Sequence, residues 1–373
     1  MNLIFDEFSS RLSLICTHSP LAKDRPFFWT IIVNPGAGGF TIKSRWKKHF
    51  EILLSSVKLA ASLPPNYSAS PSKTSLKEGN KHGLILTTGR GDAGKITKNL
   101  IEEASANRNQ SNPLYLIITA AGDGTSLEVM SALYHAPKDI RSSFVILRLP
   151  MGTGNDGADS FELDKALDLL ISPSDIVLQR AIRLFAGTRI SGQFLAFNIL
   201  SVGLDAFVTH MTNKMKGKFP GDFYKLWVDI AALLYDRIYK VGSMDVRGFD
   251  ENGNELINFS EKLLLLAVGE SGHRCYGSRK MILPDERNVC GIKQMSLLRK
   301  LMLKGLFSKG GHINKPESIL FNANSVEFSC KYPILAQMDG ETVLLNTDDF
   351  PAKIELTEPV IPYLQISSPL KKP

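Results

Sequence analysis

Cysteine is scarce in this chain of 373 residues. The four cysteines, Cys16, Cys275, Cys290 and Cys330, show no C-x-x-C spacing. Without that spacing, the sequence indicates neither a zinc site nor a disulfide framework. A cysteine content of this kind suits a reducing compartment, and we expect a cytoplasmic protein.

Long apolar runs are also missing. The longest purely aliphatic run is "LLLLAV", residues 263–268, whereas a membrane-spanning helix needs about 18 apolar residues. Near the start, Asp6 and Glu7 stand where a signal peptide would carry basic residues. We therefore expect no segment that crosses a bilayer.

Positive charge exceeds negative charge, with 44 Lys and Arg against 37 Asp and Glu and a pI near 9.1. Such a balance favours an anionic partner, although mild basicity can also serve solubility alone. Basic clusters interleaved with aromatic residues on a strand platform are not evident, so we expect no nucleic-acid partner. The anionic partners that remain as candidates are a nucleotide and an acidic membrane surface.

The first half of the chain alternates apolar, β-rich runs with helical patterns. Such alternation predicts a parallel sheet covered by helices. The predicted strands are residues 26–34, 83–88, 114–120 and 143–150, and the clearest helical pattern is 92–104. Residues 63–83 are rich in Pro, Ser and Lys without an apolar face, and we predict a mobile loop there.

The second half changes character to β-rich runs at 195–204, 240–246, 261–269 and 325–330. Asn252-Gly253 predicts a hairpin turn, and residues 222–240 predict one long helix. A chain of this length suits two domains. We predict an α/β domain at 1–160, a mainly antiparallel β-domain at 161–350, and a segment 351–373 that packs back on the first domain.

Each of the four first-half strands is followed by a cluster of glycine, small polar and acidic residues: "NPGAGG", "TTGRGDA", "AAGDGT" and "PMGTGND". Ligands of open α/β sheets bind beyond the carboxyl ends of the strands, so the clusters could line one crevice. Gly122 and Gly124 permit positive φ and would let backbone amides approach a phosphate. A carboxylate in such a cradle repels its ligand unless a cation intervenes, so Asp123 indicates Mg²⁺. The alternative is that Asp123 is only a helix N-cap.

The motifs and their order resemble the diacylglycerol kinase catalytic-domain family, which includes bacterial lipid kinases and sphingosine kinases and is distantly related to the NAD kinases. They are N-P-x-x-G, T-x-x-x-G-D-A, G-D-G-T, P-x-G-T-x-N-D, V-G-L-D-A and D-G-E, and they run from Asn34 to Glu341. The resemblance implies an α/β domain with a parallel sheet, followed by a mainly antiparallel β-sandwich domain. It further implies an ATP- and Mg²⁺-dependent kinase of lipid metabolism and phospholipid biosynthesis, a transferase acting on a lipid hydroxyl such as that of diacylglycerol or a sphingoid base.

The resemblance also assigns residues. Asp123 would hold Mg²⁺ near the phosphates and act in catalysis, and Glu341 would take the proton from the lipid hydroxyl. For Glu341 a plain hairpin turn is the alternative. The nucleotide-binding residues implied are Asn34, Pro35, Gly36, Ala37, Gly38, Thr87, Ala121, Gly122, Asp123, Gly124, Thr125, Ser126, Leu127, Thr153 and Asn155.

Two departures from the family pattern concern Ala121, where the family has glycine, and Cys290, where an aspartate helps to hold a structural Mg²⁺ in some bacterial members. A thiol is a poor ligand for hard Mg²⁺, so we expect that second metal site to be absent. A lipid kinase without a spanning segment docks peripherally on the membrane. Candidate docking segments are 43–48 and 209–227, and Arg279 and Lys280 could contact phosphate or membrane.

Two other functions stay open, an NAD kinase-like enzyme and a non-catalytic nucleotide or lipid sensor. The motif "MDGE" at 338–341 and the retained Asp123, Asn155 and Glu341 favour the lipid kinase. The sequence leaves open which lipid is used and whether the chain forms a homodimer.

Overall fold

The computed structural model describes residues 3–22, 25–77, 81–107, 112–152, 154–187, 194–215, 230, 232–276, 280–307 and 309–366. By internal packing the chain divides into two compact units. The first comprises residues 1–179 and 360–373, and the second comprises residues 180–359.

The described α-helices are α1 Leu3–Thr17, α2 Gly38–Thr41, α3 Lys43–Ala60, α4 Lys73–Lys77, α5 Asp92–Ala106, α6 Asp123–Tyr134, α7 Lys138–Arg141, α8 Leu163–Ile171, α9 Leu204–Met215, α10 Tyr235–Ile238 and α11 Leu297–Phe307. Short 3₁₀ helices span Pro20–Ala22, Gly311–Asn314 and Thr347–Asp349. Of the predicted helix 222–240, residues 222–229 and 231 lie outside the described residues, and the short helix α10 spans Tyr235–Ile238 within the rest.

The described strands are β1 Phe27–Val33, β2 Ala69–Pro71, β3 Leu84–Leu86, β4 Leu114–Ala121, β5 Phe144–Pro150, β6 Ser174–Gln179, β7 Ile182–Ala186, β8 Leu195–Ala196, β9 Ile199–Gly203, β10 Ser243–Phe249, β11 Glu255–Gly269, β12 Arg274–Tyr276, β13 Lys280–Leu283, β14 Val289–Lys293, β15 Ser318–Phe321, β16 Ser325–Cys330, β17 Ile334–Met338, β18 Glu341–Leu345, β19 Ala352–Leu356 and β20 Ile361–Ile366.

The first unit contains a seven-stranded sheet in the order β2-β1-β4-β5-β20-β6, with β3 also paired to β1. Its pairs are parallel except β20 with β6. Every residue of the central strands β4 and β5 is buried, as expected for strands covered by helices on both faces. The predicted α/β domain with a parallel sheet is confirmed.

The prediction of a mobile loop at 63–83 was wrong for the part that the structure describes. Residues 69–71 form β2, which pairs in parallel with the start of β1, and α4 follows. Polar contacts hold this stretch: Thr30 and Ser72 join their hydroxyls at 2.6 Å, and Glu103 accepts the N–H groups of Lys73 and Thr74 at 3.0 and 2.7 Å. Hydrogen bonds to residues distant in sequence thus order a segment that lacks an apolar face.

The second unit is built on an eleven-stranded antiparallel sheet in the order β18-β17-β9-β11-β10-β16-β19-β7-β8, with β14 beside β11 and β15 beside β14. The long strand β11 pairs with β10 in its first half and with β9 and β14 in its second half. One apolar core takes residues from both ends of the sheet, such as Leu184 of β7 and Ala336 of β17. A flat sheet could not bring these residues together, so the sheet curls over its core. The predicted antiparallel domain is confirmed.

The division between the units differs from the predicted boundaries at 160 and 350. Helix α8 places Ala166 and Leu167 in the core of the first unit, and β6 pairs along its length with β20. Within the predicted segment 351–373, β20 joins the first sheet, whereas β19 pairs with β16 and β7 of the second. Residues 367–373 lie outside the described chain.

Candidate nucleotide-binding and active site

The four strand ends of the first unit meet through backbone hydrogen bonds. The Asn34 amide donates to the Ala120 carbonyl at 3.3 Å, and the Thr87 amide donates to the Val33 carbonyl at 2.9 Å. The Gly39 amide donates to the Met151 carbonyl at 2.8 Å. The segment after β1 therefore touches those after β3, β4 and β5, and all four clusters gather at one edge of the sheet, as parallel strands require.

The segments after β4 and β5 come so close that the second of them cannot carry a side chain where they touch. A Cβ atom on Gly152 would lie 2.6 Å from the Cα atom of Gly122. Gly122 has φ −93°, and a Cβ atom there would lie 3.8 Å from the Cα atom of Gly152, so close approach requires glycine at Gly152 and not at Gly122. Asn155, at φ 60°, accepts the Gly152 N–H at 2.7 Å and donates to the Pro150 carbonyl at 3.2 Å. Its side chain thereby closes the turn after β5.

Asp123 is the first residue of α6, and its carboxylate is directed at the turn after β5. Oδ1 accepts the Gly157 N–H at 2.9 Å. A Cβ atom on Gly154 would lie 3.2 Å from Oδ2 of Asp123 and 3.3 Å from Oδ2 of Asp156, so two carboxylates flank one glycine. The N-cap of α6 is Gly122, without a side-chain cap. Asp123 therefore does not act as the N-cap of this helix.

This arrangement fits a Mg²⁺-nucleotide. Mg²⁺ prefers hard oxygen ligands and binds through one or two carboxylates together with substrate phosphates, rather than in an all-protein cage. In the described part of the chain, no group of three or more His, Cys, Asp or Glu side chains could hold a metal. The Asp123–Asp156 pair supplies the one or two protein ligands that such a site needs, and the N-terminus of the twelve-residue helix α6 favours phosphate.

The other residues predicted to bind nucleotide differ in the groups that they can present to a ligand. Asn34 accepts the Gly36 N–H at 2.9 Å and shapes the turn before Gly38, where α2 begins. The side chains of Ala37, Ala121 and Leu127 are buried. Ser126 is also buried and its hydroxyl lies 2.9 Å from that of Thr119. These four can present only backbone groups to a ligand.

The remaining predicted positions complete this edge of the sheet. Thr87 is buried, with its hydroxyl 3.4 Å from the Val33 carbonyl. Pro35 is half-buried, Gly124 is exposed, and the Thr125 amide donates to the Gly122 carbonyl at 3.2 Å. Ala121 ends the extended strand β4, so its methyl group replaces the family glycine without strain. Thr153 lies outside the described residues.

Sequence reasoning missed two side chains at this site. Glu128 of α6 accepts the Gly91 N–H at 2.7 Å with Oε1 and the Ala93 N–H at 3.1 Å with Oε2. Arg45 donates to the Gly152 carbonyl at 3.5 Å, which brings a cation to the turn after β5. Neither residue belongs to a motif, so only the folded chain reveals them.

In the second unit, the D-G-E motif forms the turn between β17 and β18. Asp339 has φ 45° and Gly340 has φ 98°, which makes a tight hairpin with Glu341 at the first position of β18. The Asp339 carboxylate accepts the backbone N–H groups of Phe197, Asn198 and Ile199. Asp339 therefore fixes the turn, and Glu341, which is partly exposed, is held beside it.

A buried polar network ties this hairpin to the V-G-L-D-A motif. Asp205 accepts the Ser201 hydroxyl at 2.6 Å and the Gln337 side-chain N–H at 3.2 Å. Gln337 in turn accepts the Gly340 N–H at 3.0 Å. Asp205 and Gln337 are each 3% exposed. Since buried polar groups hold their partners firmly, the network fixes the backbone next to Glu341.

Cys290 lies in β14, fully buried, at the position where the family resemblance implied a metal-binding aspartate in some members. Burial raises the pKa of its thiol to about 12, so it stays protonated. Its Sγ is 3.9 Å from Nε2 of His312. The protonated thiol gives Mg²⁺ no ligand at this position. Arg279 lies outside the described residues, and Lys280 begins β13, half-buried.

Comparison with known proteins shows what these features are similar to. The sequence profile of the diacylglycerol kinase catalytic domain matches residues 29–185. The predicted family resemblance is confirmed. This chain is 27% identical to the "Probable lipid kinase YegS-like" of Yersinia enterocolitica over 71% of this chain and 81% of that protein. With the protein of the same description from Yersinia pseudotuberculosis the identity is 26%, over 68% and 83%.

Solved structures share the fold of this chain. A diacylglycerol kinase from Bacillus anthracis matches with a TM-score of 0.50 and 15% identity, over 93% of this chain and 98% of that chain. Another crystal structure from the same strain gives a TM-score of 0.54 and 18% identity, over 92% and 96%. Among the described residues, no helix is long and apolar enough to traverse a bilayer.

Proposed function

We propose that this protein is an ATP- and Mg²⁺-dependent lipid kinase, which transfers the γ-phosphoryl group to a hydroxyl of a lipid such as diacylglycerol or a sphingoid base. The observation that carries the proposal is the gathering of four glycine-rich strand ends around Asp123. A phosphoryl transfer needs a cradle for the phosphates, a cation to neutralise their charge, and an acceptor for the proton of the attacking alcohol.

Residues of this chain can meet each need. The backbone of the segments around Asn34, Gly122 and Gly152 forms the cradle, and Asp123 would hold Mg²⁺, which neutralises phosphate charge when bound. Glu341 would accept the proton of the lipid hydroxyl. The substrate resides in a membrane, so the protein would act as a peripheral membrane protein in the cytoplasm.

Transfer of labelled phosphate from ATP to a panel of acceptors tests the proposal. The panel consists of diacylglycerol, a sphingoid base and phosphatidylglycerol in mixed micelles, with NAD as the soluble alternative. We expect label in one of the lipids and none in NAD. Labelled NAD, or no transfer to any lipid, would contradict the proposal.

Asp123→Asn is the internal control of this assay. Asparagine keeps an oxygen for the Gly157 N–H but loses the negative charge, so transfer should fall by about 100-fold or more while the fold persists. Asp164→Asn, in the first turn of α8 and outside the four glycine-rich clusters, should keep the wild-type rate. Equal rates for Asp123→Asn and wild type would remove Asp123 from the mechanism.

A further inference from the structure

Helix α11 turns its apolar residues outward. Leu298 is 69% exposed, Leu301 is 50% exposed and Met302 is 63% exposed. Residues at positions i, i+3 and i+4 share one face of a helix, so the three form a single apolar stripe. An ordinary surface helix buries such a stripe and exposes its cations. Here Lys300, 8% exposed, is the one buried side chain among those described in the helix.

Ion pairs fix the helix in this orientation. Nζ of Lys300 lies 2.6 Å from Asp236 and donates to the Leu233 carbonyl at 3.3 Å. Arg299 forms a two-pronged pair with Glu317, at 2.6 and 3.1 Å. Lys300 is two residues beyond Leu298 and thus on the opposite side of the helix. Rolling the stripe inward would break the Lys300–Asp236 pair, so the outward stripe belongs to the folded structure.

The stripe lies in a cationic part of the sequence. Between residues 288 and 316 there is no Asp or Glu, whereas there are six Lys and Arg: Lys293, Arg299, Lys300, Lys304, Lys309 and Lys315. Acids outside the segment pair with Lys293, Arg299 and Lys300, so an excess of positive charge remains. Lys309, just after the helix, is exposed.

We propose that the stripe of Leu298, Leu301 and Met302 inserts into the interfacial region of an anionic lipid bilayer. Single exposed apolar side chains are ordinary on protein surfaces, whereas three on one face of a helix form a contiguous patch. Cations beside an apolar helix face favour an anionic membrane over a neutral partner. The inference rests on the proposed function, because it names the surface by which a lipid kinase would reach its substrate.

This surface adds to the two docking segments predicted from the sequence, which stay predictions. In segment 43–48 Trp46 is half-buried, with its ring packed against Phe8 and Phe40. Most of segment 209–227 falls outside the described residues.

Sedimentation with vesicles, in the absence of ATP, tests the proposal. We expect the wild-type protein to pellet with phosphatidylcholine vesicles that contain about 30% phosphatidylserine, and less so at about 0.5 M salt. Leu298→Asp combined with Leu301→Asp should weaken vesicle binding about tenfold or more. The matched control is Leu256→Asp: Leu256 is 55% exposed, but on β11 beside Glu255. The control should bind as the wild type does.

Two further measurements keep the proposal falsifiable. If the double variant were misfolded, as judged by circular dichroism, Leu301→Trp would replace it: its fluorescence should shift to the blue and be quenched by lipids that carry nitroxide labels. Equal vesicle binding by wild type and double variant, or no quenching, would overturn the proposal. So would a wild-type dimer in light scattering that the double variant loses, because the stripe would then be a self-association surface.

Failure of the proposed membrane surface can be distinguished from failure of the proposed function. Binding to vesicles needs neither ATP nor turnover, and transfer to micellar lipid is measured independently. If α11 binds vesicles but no lipid is phosphorylated, the kinase assignment fails and the membrane surface stands. If micellar lipid is phosphorylated but the stripe is dispensable for vesicle binding, the kinase assignment stands and the proposed membrane surface fails.

Discussion

Gly152 and Gly122 approach each other so closely that a single methyl group on Gly152 would lie 2.6 Å from the Cα atom of Gly122. Backbone lies on both sides of this contact, so neither partner can rotate away. The contact sets the spacing between the segments after β4 and β5, and therefore the position of Asp123 relative to Gly154. The width of the proposed phosphate cradle thus depends on the absent side chain of Gly152.

Gly152→Ala should separate these two segments. We expect a loss of about 1–3 kcal/mol in the free energy of unfolding, as for overpacked sites, and a loss of ATP binding by calorimetry. Gly305→Ala, in α11 of the second unit, is the matched control, because a Cβ atom there would meet nothing within 4 Å. Unchanged ATP affinity in Gly152→Ala would show that the cradle tolerates a wider spacing.

Glu128→Ala should loosen the segment between β3 and α5, because it removes both acceptors of the Gly91 and Ala93 N–H groups. Each hydrogen bond to a charged group contributes about 1.5–3 kcal/mol. We expect ATP affinity to fall severalfold, with partial recovery in Glu128→Gln, which keeps one acceptor. Glu102→Ala, at an exposed position of α5, is the control. Equal affinities for Glu128→Ala and the control would mean that this segment does not shape the nucleotide site.

The sequence was sufficient to predict four strands of the first sheet and the common edge at which their carboxyl ends lie. Continuous β-rich runs predicted β1, β3, β4 and β5, and the geometry of parallel sheets predicted that their carboxyl ends gather. It failed for β2 and α4, since their order comes from Ser72 reaching Thr30 and from Glu103 reaching Lys73. Such polar contacts across tens of residues leave no periodic signal.

Candidate site residues could be named where chemistry coincides with a motif. Asp123 and Asn155 stand in glycine-rich turns whose residue types suggest a metal ligand and a turn, whereas the role of Glu341 as a base came only from the family resemblance. Glu128 stands in a helix and Asp205 in a motif whose partner, Gln337, lies 132 residues away. Both act through contacts that only the fold creates. The positive φ expected at Gly122 was also wrong: its φ is −93°, and the close approach requires glycine at Gly152.

Asp205→Ala should disturb the hairpin that carries Glu341. The change leaves the Ser201 hydroxyl and the Gln337 amide without this acceptor, at a cost of about 1–3 kcal/mol in unfolding free energy. Because Gln337 also holds the Gly340 N–H, we expect kcat for lipid phosphorylation to fall about tenfold. ATP affinity should not change, since the proposed nucleotide residues belong to the other unit.

The conservative variant separates positioning from stability. Asp205→Asn keeps an oxygen acceptor and should recover most of kcat, and Asp245→Ala, at an exposed position of β10, should behave as the wild type does. A parallel loss of kcat and ATP affinity in Asp205→Ala would indicate general unfolding and contradict a positioning role.

His312 should make the stability of the second unit depend on pH. It is fully buried, its Nε2 donates to the Ile282 carbonyl at 3.1 Å, and Cys290 and Asp285 lie nearby. Burial lowers the pKa of its imidazole below the usual 6.5, although the carbonyl and Asp285 oppose the shift. The unfolded chain therefore binds a proton at His312 at a higher pH than the folded chain does. Stability is complete above about pH 6.5 and declines as pH falls from there toward the folded pKa, by about 1.4 kcal/mol for each unit of difference.

Urea unfolding between pH 7.5 and about pH 5 should show a steeper decline for the wild type than for His312→Gln, which cannot be protonated. His49, whose pKa burial, Lys48 and Arg45 also lower, contributes equally to both proteins and cancels in the difference. Identical slopes for the two proteins would mean that His312 is protonated as readily in the folded chain as in the unfolded one.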